Sequence, residues 1–406
     1  MKNNQSAQKR SQQTISNLFL LVFLLASFSS SVFSSTGFAQ TIQQNNKPIP
    51  VLDKTKSYPS KKIEQETEIT YIPLETSEEV LLGGNCQLKY VSNEKLVLSD
   101  EIRGDVFIFD KDGKILSNFN QKGGLGYTFI TSVAFDEKNS EVIILDRIKK
   151  KIFVFSEKGN LLRSFMTPKS TYLMEIYNFN DSTLLALDEN MNGSDKPTKP
   201  YLFISKNDGL KTGYVDIEVK KVNPSQFIES SGKNQERTFM FTHSRPDNCK
   251  FGNDFILANK SMDTIYLLKQ DKTLIPLFIQ TPSVYSDHTT AASVGMITDR
   301  FLKINVASYD IKAGVKIMKV GRRWKPKFRD LILDRESGEF FEDSGKGELV
   351  VKKVDVPKNY CVELMLPMHI INSYKSGRLK DNLQLKEVAS KLDIGDNPVI
   401  KIIRLK

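Results

Sequence analysis

Leu96–Phe119 reads LVLSDEIRGDVFIFDKDGKILSNF, and 46 residues further on Val142–Phe165 reads VIILDRIKKKIFVFSEKGNLLRSF. The two stretches agree position by position: Asp100 with Asp146, Val106-Phe107-Ile108-Phe109 with Ile152-Phe153-Val154-Phe155, Gly113 with Gly159, and Phe119 with Phe165. Phe255–Phe278, FILANKSMDTIYLLKQDKTLIPLF, fits the same frame with Asn259 in place of the Asp and Lys272 in place of the turn Gly. A further copy starts at Leu184–Asp188, is interrupted by a loop around Pro197 and Pro200, and resumes at Tyr201–Ile204 and Asp208-Gly209. Each copy is a strand ending in Asp, a short polar turn, a strand of β-branched and aromatic residues, a tight Asp-Gly or Lys-Gly turn, and a third strand. That grammar is an antiparallel meander.

An apolar run upstream, such as Ser132–Asp136 or Ile176–Phe179, adds a fourth strand to each copy. Four strands in about 45 residues make a β-propeller blade. One blade cannot bury both of its faces, so neighbours must stack on it and the ring must close. From Glu66 to Lys406, at roughly 45–57 residues per blade, the length allows six to eight blades. Thr298–Tyr309 and Phe328–Phe341, with Leu331-Ile332-Leu333-Asp334 and the turn Glu336-Ser337-Gly338, supply one degenerate blade, and Cys361–Pro367 begins another. Leu383, Leu385, Val388, Ala389 and Leu392 have the spacing of a short amphipathic helix. Asn397-Pro398 then opens a last strand, Val399–Leu405. Propeller rings are usually sealed by strands from both chain ends in one blade, and Ile69–Leu74 is the N-terminal contributor expected here.

Composition agrees. The 406 residues are 39% hydrophobic and 26% charged, which excludes wholesale disorder and a polytopic membrane protein, and 25 Phe with 13 Tyr against one Trp suit pleated strands. Lys2, Lys9 and Arg10 precede the apolar run Leu18–Ala26 and a Ser-rich stretch ending Gly37-Phe38-Ala39, the layout of a signal peptide cleaved near Ala39. The run is too short to span a bilayer as a permanent helix. Cleavage takes the formal net charge from +10 to +7. No Cys follows the apolar run, so the lipid-attachment box of a bacterial lipoprotein is missing, and a periplasmic or secreted product is expected. The domain reading is therefore residues 1–39 signal peptide, 40–65 flexible leader, and 66–406 one propeller. An exported basic protein rarely meets nucleic acid, and anionic glycans or membrane surfaces are the better partners for its charge. Cys86, Cys249 and Cys361 are odd in number and widely spaced, and are read as buried small hydrophobes.

The Asp-terminated strand followed by VFIFDKDGKIL, the connection Gln121-Lys122-Gly123-Gly124-Leu125-Gly126-Tyr127, and the closing NPVIKIIRLK resemble the secreted six-bladed β-propeller proteins of Bacteroidetes-type bacteria, which are related to NHL-repeat propellers. The resemblance implies an all-β fold of six four-stranded antiparallel blades with the short helix before the closing strand. Many members look like lipoproteins, and this chain departs from them by lacking the Cys. The resemblance carries over no catalytic residue.

Several residues are candidates for chemistry. The Gly123–Gly126 loop lacks the Gly-Lys-Ser/Thr of a phosphate-binding loop and precedes no helix pattern. Its place between an outermost and an innermost strand points it toward the channel mouth, where Gln121, Lys122, Tyr127 and Phe129 are candidate ligand contacts. Asp100, Asp146, Asp188 and Asp334, with Asn259, recur at one blade position. They are either a ring of Ca²⁺ ligands or strand-ending caps that accept hydrogen bonds from turn N–H groups, and recurrence in blade after blade favours the caps. His243, His288 and His369 are the only histidines and share no metal-binding spacing. His243 lies in a long connection, and Arg322-Arg323-Trp324 sets the only Trp among cations. Both are further candidate ligand contacts. The Lys149–Lys151 cluster beside Arg147 is read as a solvated turn. No Gly-x-Ser-x-Gly elbow occurs. The expectation is a monomeric, cofactor-free binding module that takes a glycan, a peptide or an envelope protein at the channel mouth. The alternative is a Ca²⁺-dependent hydrolase or lyase of the lactonase-like propeller type. A third reading is a structural platform in an envelope complex.

Overall fold

The computed structural model describes residues 48–63, 67–189, 196–222, 225–231, 235–241, 248–286, 289–296, 298–310, 314, 327–345, 354–380 and 382–405. It is a six-bladed β-propeller. Blade 1 is Cys86–Val91, Lys95–Asp100, Asp105–Asp110 and Ile115–Asn120. Blade 2 is Ser132–Asp136, Glu141–Asp146, Lys151–Ser156 and Leu161–Met166. Blade 3 is Leu173–Asn178, Thr183–Asp188, Tyr201–Ser205 and Lys211–Tyr214. All three are consecutive antiparallel meanders, as the repeats require.

Blade 4 (Cys249–Phe251, Asp254–Leu257, Thr264–Leu268, Leu274–Thr281) and blade 5 (Thr290–Met296, Phe301–Ser308, Lys327–Asp334, Glu339–Asp343) each gain a fifth strand. The added strands come from the N-terminal segment: Val51–Asp53 pairs in parallel with Ile279–Thr281, and Ser60–Lys61 with Glu342–Asp343. The stretch read from sequence as a flexible leader is thus in part a strap on the outer edges of two blades. Its anchor is Leu52, which is fully buried. Leu, Ile and Val residues alternating with polar ones were too few there to register as a strand pattern, because a strand added at an edge needs backbone partners more than it needs an apolar face.

Blade 6 closes the ring. Val399–Leu405 lies between Tyr360–Met365 and Thr67–Pro73, antiparallel to both, so strands from the two ends of the chain share one sheet. Asp355 joins this blade to blade 1 through Val91 N–H to Asp355 C=O at 2.9 Å and Asp355 N–H to Lys89 C=O at 3.0 Å. Two helices are inserted before the closing strand: Pro367–Lys375, which the sequence reading did not anticipate, and Leu383–Lys391, which it did. They bury Ile370, Leu385 and Ala389 against Tyr71 and Val399. Leu383 is exposed, because the buried stripe passes through Leu385 and Ala389, and Asn382 caps the helix by accepting Leu385 N–H at 2.9 Å. Between blades 3 and 4 an unanticipated hairpin pairs Ser225–Ser231 with Gln235–Phe241.

The repeat residues carry the contacts between blades. Gly159 has φ +79°, and a Cβ there would lie 2.5 Å from Phe119 Cβ of the preceding blade; Gly209 meets Phe165 in the same way at 2.3 Å. The recurring Gly and Phe are therefore two sides of one contact, which is why they recur together. A register shift between strands three and four falls at Ile108/Phe109 and at the equivalent Val154/Phe155, and adds the twist that lets one blade's outer strand lean over the next. Cys86, Cys249 and Cys361 are buried and in no disulfide. Burial pushes the Cys86 thiol up to about 12 and the Cys361 thiol to about 11.

Candidate functional site

In a four-stranded meander, the turns between strands two and three share one end of the blade with the connections to the next blade. The turns between strands one and two, and three and four, occupy the opposite end. These two ends are called here the connection face and the hairpin face. Asp100 and Asp146 end strand two on the connection face. Asp100 Oδ1 accepts Ile102 N–H at 3.0 Å and Arg103 N–H at 2.8 Å, and Asp146 Oδ1 accepts Ile148 N–H at 2.9 Å and Lys149 N–H at 3.0 Å. Asn259 and Asp334 accept in the same way from Ser261 and Glu336, and Asp188 takes Tyr172 N–H. The Oδ1 atoms of Asp100, Asp146, Asn259 and Asp188 accept turn or loop backbone N–H groups, which is the capping role. Asp334, expected at the same position, instead ends strand three of blade 5 on the hairpin face and also takes the Arg300 guanidinium at 2.7 Å, and Asp100 Oδ2 is buried without a partner among the described residues. Among the described residues no three His, Cys, Asp or Glu side chains gather as a metal site.

The first strands of the blades line the central channel. A cavity of about 270 Å³ is walled by Gln87 and Lys89 of blade 1, Ser132–Phe135 of blade 2, Met174–Asn178 of blade 3, Asn248–Lys250 at blade 4, and Val354-Asp355 at blade 6. Its polar groups are organised in two ion pairs and a network. Lys89 Nζ lies 2.8 Å from Glu101, and Lys250 Nζ lies 2.8 Å from Asp355, an ion pair that joins blades 4 and 6. Burial pushes the Asp355 carboxyl above the usual carboxylate range, and Lys250 offsets part of that. Glu175 accepts from Tyr177 Oη at 2.5 Å and from Asn248 Nδ2 at 3.1 Å, while Asn248 Oδ1 accepts Tyr201 Oη at 2.7 Å and Ala258 N–H at 3.1 Å.

Toward the hairpin face the channel adjoins a wider mouth of about 620 Å³, lined by Tyr90, Glu137, Lys138, Asn180, Asp181, Ser182, Asn253 and Gln270. Phe135, Asn178 and Lys250 border both spaces. Asn178 Nδ2 donates to Phe135 C=O at 3.2 Å, but Asn178 Oδ1 is buried with no hydrogen-bond partner among the described residues. An unsatisfied buried acceptor is costly, and this one lies where the two spaces meet. Tyr90 Oη donates to Glu137 at 3.0 Å, and burial together with the Glu137 charge raises the Tyr90 phenol.

The structure places the sequence candidates elsewhere. Tyr127 is fully buried in the seam between blades 1 and 2, its hydroxyl donating to Gly104 C=O at 2.6 Å and its ring edge-on to Phe155 at 5.8 Å. Gln121 Nε2 reaches Gly159 C=O at 3.2 Å, Lys122 Nζ reaches Ile102 C=O at 2.6 Å, and Phe129 N–H faces Asp146 Oδ2 at 3.4 Å. Tyr127 anchors the end of the Gly-rich loop in the blade seam on the connection face while the loop's tip stays exposed, and none of the four lines either of the two cavities above. His243, Arg322, Arg323 and Trp324 lie outside the described residues, as do His288 and residues 1–39. Among the described residues no helix is long and apolar enough to cross a membrane. The channel residues were missed because repeat matching weights strands two to four. The available signal was a Lys or Glu inside an otherwise largely apolar first strand, at Lys89, Glu175 and Lys250.

Two solved structures are similar to the chain, and the first of them shares its fold. A Bacteroides fragilis protein designated as exported is similar at 14% identity and a TM-score of 0.62, over 88% of this chain and 100% of its own. A Bacteroides vulgatus member of the DUF4221 family has 11% identity and a TM-score of 0.47, over 84% of this chain and 99% of its own. No curated protein sequence matches. The domain of unknown function DUF4934 spans residues 48–404, from the N-terminal strap through the ring-closing strand, and the chain belongs to that family.

Proposed function

We propose that this protein is an exported, non-catalytic binding module whose channel and hairpin-face mouth take a glycan or a peptide. The observation that carries the reading is Asn178 Oδ1, a buried acceptor without a partner at the neck between two connected spaces. Around it stand amide, hydroxyl and paired charged groups: Ser182, Asn253, Gln270, Glu137 and Lys250. That donor and acceptor set suits a ligand rich in hydroxyl or amide groups. The Oδ1 atoms of Asp100, Asp146 and Asn259 accept turn N–H groups, and the described residues gather no three metal-ligating side chains, which supports binding over Ca²⁺-dependent hydrolysis. Export rests on the N-terminal signal layout, and the B. fragilis protein of like fold carries the same designation.

The test is a thermal-shift and calorimetry panel of neutral and acidic oligosaccharides and short peptides on the full chain. A ligand present at 100 times its Kd raises stability by about 2.7 kcal/mol. Asn178→Leu is expected to weaken the best ligand at least tenfold while leaving the unliganded melting temperature within a few degrees. A ligand whose affinity is unchanged by Asn178→Leu and by Lys138→Ala binds outside this channel and overturns the reading.

A further inference from the structure

The connection face of blades 1 to 3 carries a surface that neither the ring nor the channel uses. Ile102 and Ile148 hold the same repeat position, two residues after the capping Asp, and are 58% and 63% exposed; Leu125, at the tip of the Gly-rich connection between them, is 92% exposed, and Tyr172 is 45% exposed. The loops that carry them are tied to one another. Lys122 Nζ ties the connection to Ile102 C=O, Lys149 Nζ ties the blade 2 turn to Gly126 C=O at 2.5 Å, and the Arg147 guanidinium lies 5.9 Å from the Tyr172 ring centroid. Arg103, Lys122, Arg147, Lys149 and Lys150 are interleaved with these tips. Of the five, only Arg103 is paired with a carboxylate, Asp105, among the described residues. Lys122 and Lys149 bond instead to backbone carbonyls, which leaves their charge uncompensated.

The opposite ends of the same blades differ. The hairpin-face turns of blades 1 and 2, Ser92-Asn93-Glu94, Lys111–Lys114, Glu137–Ser140 and Glu157–Asn160, hold no large apolar residue, and the last three mix both charges; blade 3 exposes a single one there, Leu210. Single exposed apolar residues are ordinary. Neighbouring loops that are tied to one another, each with an exposed apolar residue and two of them at the same repeat position, set among cations without carboxylate partners, are the pattern of a surface that lies in a membrane interface.

We propose that the connection face of blades 1 to 3 docks on an anionic lipid surface, with Leu125, Ile102 and Ile148 entering the headgroup region and Lys122, Lys149 and Lys150 meeting lipid phosphates. The wide mouth, on the hairpin face, then points away from the membrane. This surface is separate from the channel, whatever the channel binds.

The experiment is vesicle co-sedimentation of the full chain with phosphatidylcholine alone and with about 30% phosphatidylglycerol, at low and high salt. Binding is expected to require the anionic lipid and to fall as salt rises. Leu125→Asp is expected to reduce partitioning about tenfold. Lys150→Asn, which keeps a residue tolerant of the positive φ, is expected to reduce it about fivefold. Both side chains are exposed, so unchanged melting temperatures verify folding. The apolar run Leu18–Ala26 is common to parent and variants, so only the difference between them reports this face. Equal binding to neutral and anionic vesicles, or variants that sediment like the parent, overturns the proposal. Equal capture by soluble heparin that is insensitive to Leu125→Asp assigns the cations to a polyanion instead, and overturns it too.

Discussion

Blades 1 to 3 and blades 4 to 6 form two halves of the ring that are held by different means. In the first half every strand pairs with its neighbour in sequence, and the blades are joined by side chains: Phe119 against Gly159, Phe165 against Gly209, and the buried Lys206–Asp136 pair at 2.6 Å between blades 3 and 2. In the second half the N-terminal segment runs along the outer edges of blades 4 and 5 and then supplies the outer strand of blade 6. The first half needs only local contacts, whereas the second needs partners more than two hundred residues away. Closure entropy is therefore concentrated in the half whose sequence repeats least clearly.

The most severe way to break this division is to delete residues 399–406. That removes the central strand of blade 6 and leaves both Tyr360–Met365 and Thr67–Pro73 without a partner. Loss of the cooperative melting transition is expected by circular dichroism, and a deletion with an unchanged melt refutes ring closure by this strand.

Within the first half, Lys206→Met strands the Asp136 carboxylate in the interior and is expected to cost about 3–5 kcal/mol by urea unfolding. Its pH dependence has a definite sign. Burial pushes the Asp136 carboxyl up, but hydrogen bonds from Lys206 and Asn139 and the Lys206 charge outweigh it, holding it below the usual 3.8. The pair's contribution is therefore fully present above about pH 4 and is lost as pH falls through the lower folded value. The stability gap between parent and Lys206→Met narrows correspondingly in acid.

In the second half, Leu52→Ala leaves a cavity under the strap and is expected to cost about 2–4 kcal/mol. A value near zero would mean that the strap contributes no stability and that blades 4 and 5 stand without it. The smallest effect sharpens the comparison. Lys272, the second half's substitute for the turn Gly, has φ +67° and sets its ammonium 4.5 Å from the Phe203 ring centroid. Lys272→Gly relieves backbone strain but gives up that contact, so a net stabilisation of about 0.5–1 kcal/mol is expected in a thermal melt.

Much of the architecture was legible. The 24-residue frame located strands two to four of blades 1, 2, 3 and 4, Ser132–Asp136 was read as a strand with its exact bounds, and both chain ends were matched to one closing blade. The caps at Asp100, Asp146 and Asn259 followed from recurrence. The strap, the helix Pro367–Lys375 and the hairpin at Ser225–Phe241 were not read, because each occurs once and none has the period on which repeat matching depends.

By itself the sequence determined the unit: alternation sets the strands, Asp and Gly set the turns, and a face that one blade cannot bury demands a neighbour. Only the tertiary structure decided which polar side chains meet. Gln87, Glu175, Asn248, Lys250 and Asp355 are spread over more than two hundred and fifty residues and converge because first strands of successive blades must face one axis. The same closure carried Tyr127 into a seam and left Leu125 in solvent, two residues apart in one loop. A blade's local pattern sets which residues leave its surface, but the direction of the ring's axis exists only once all six blades have closed around it.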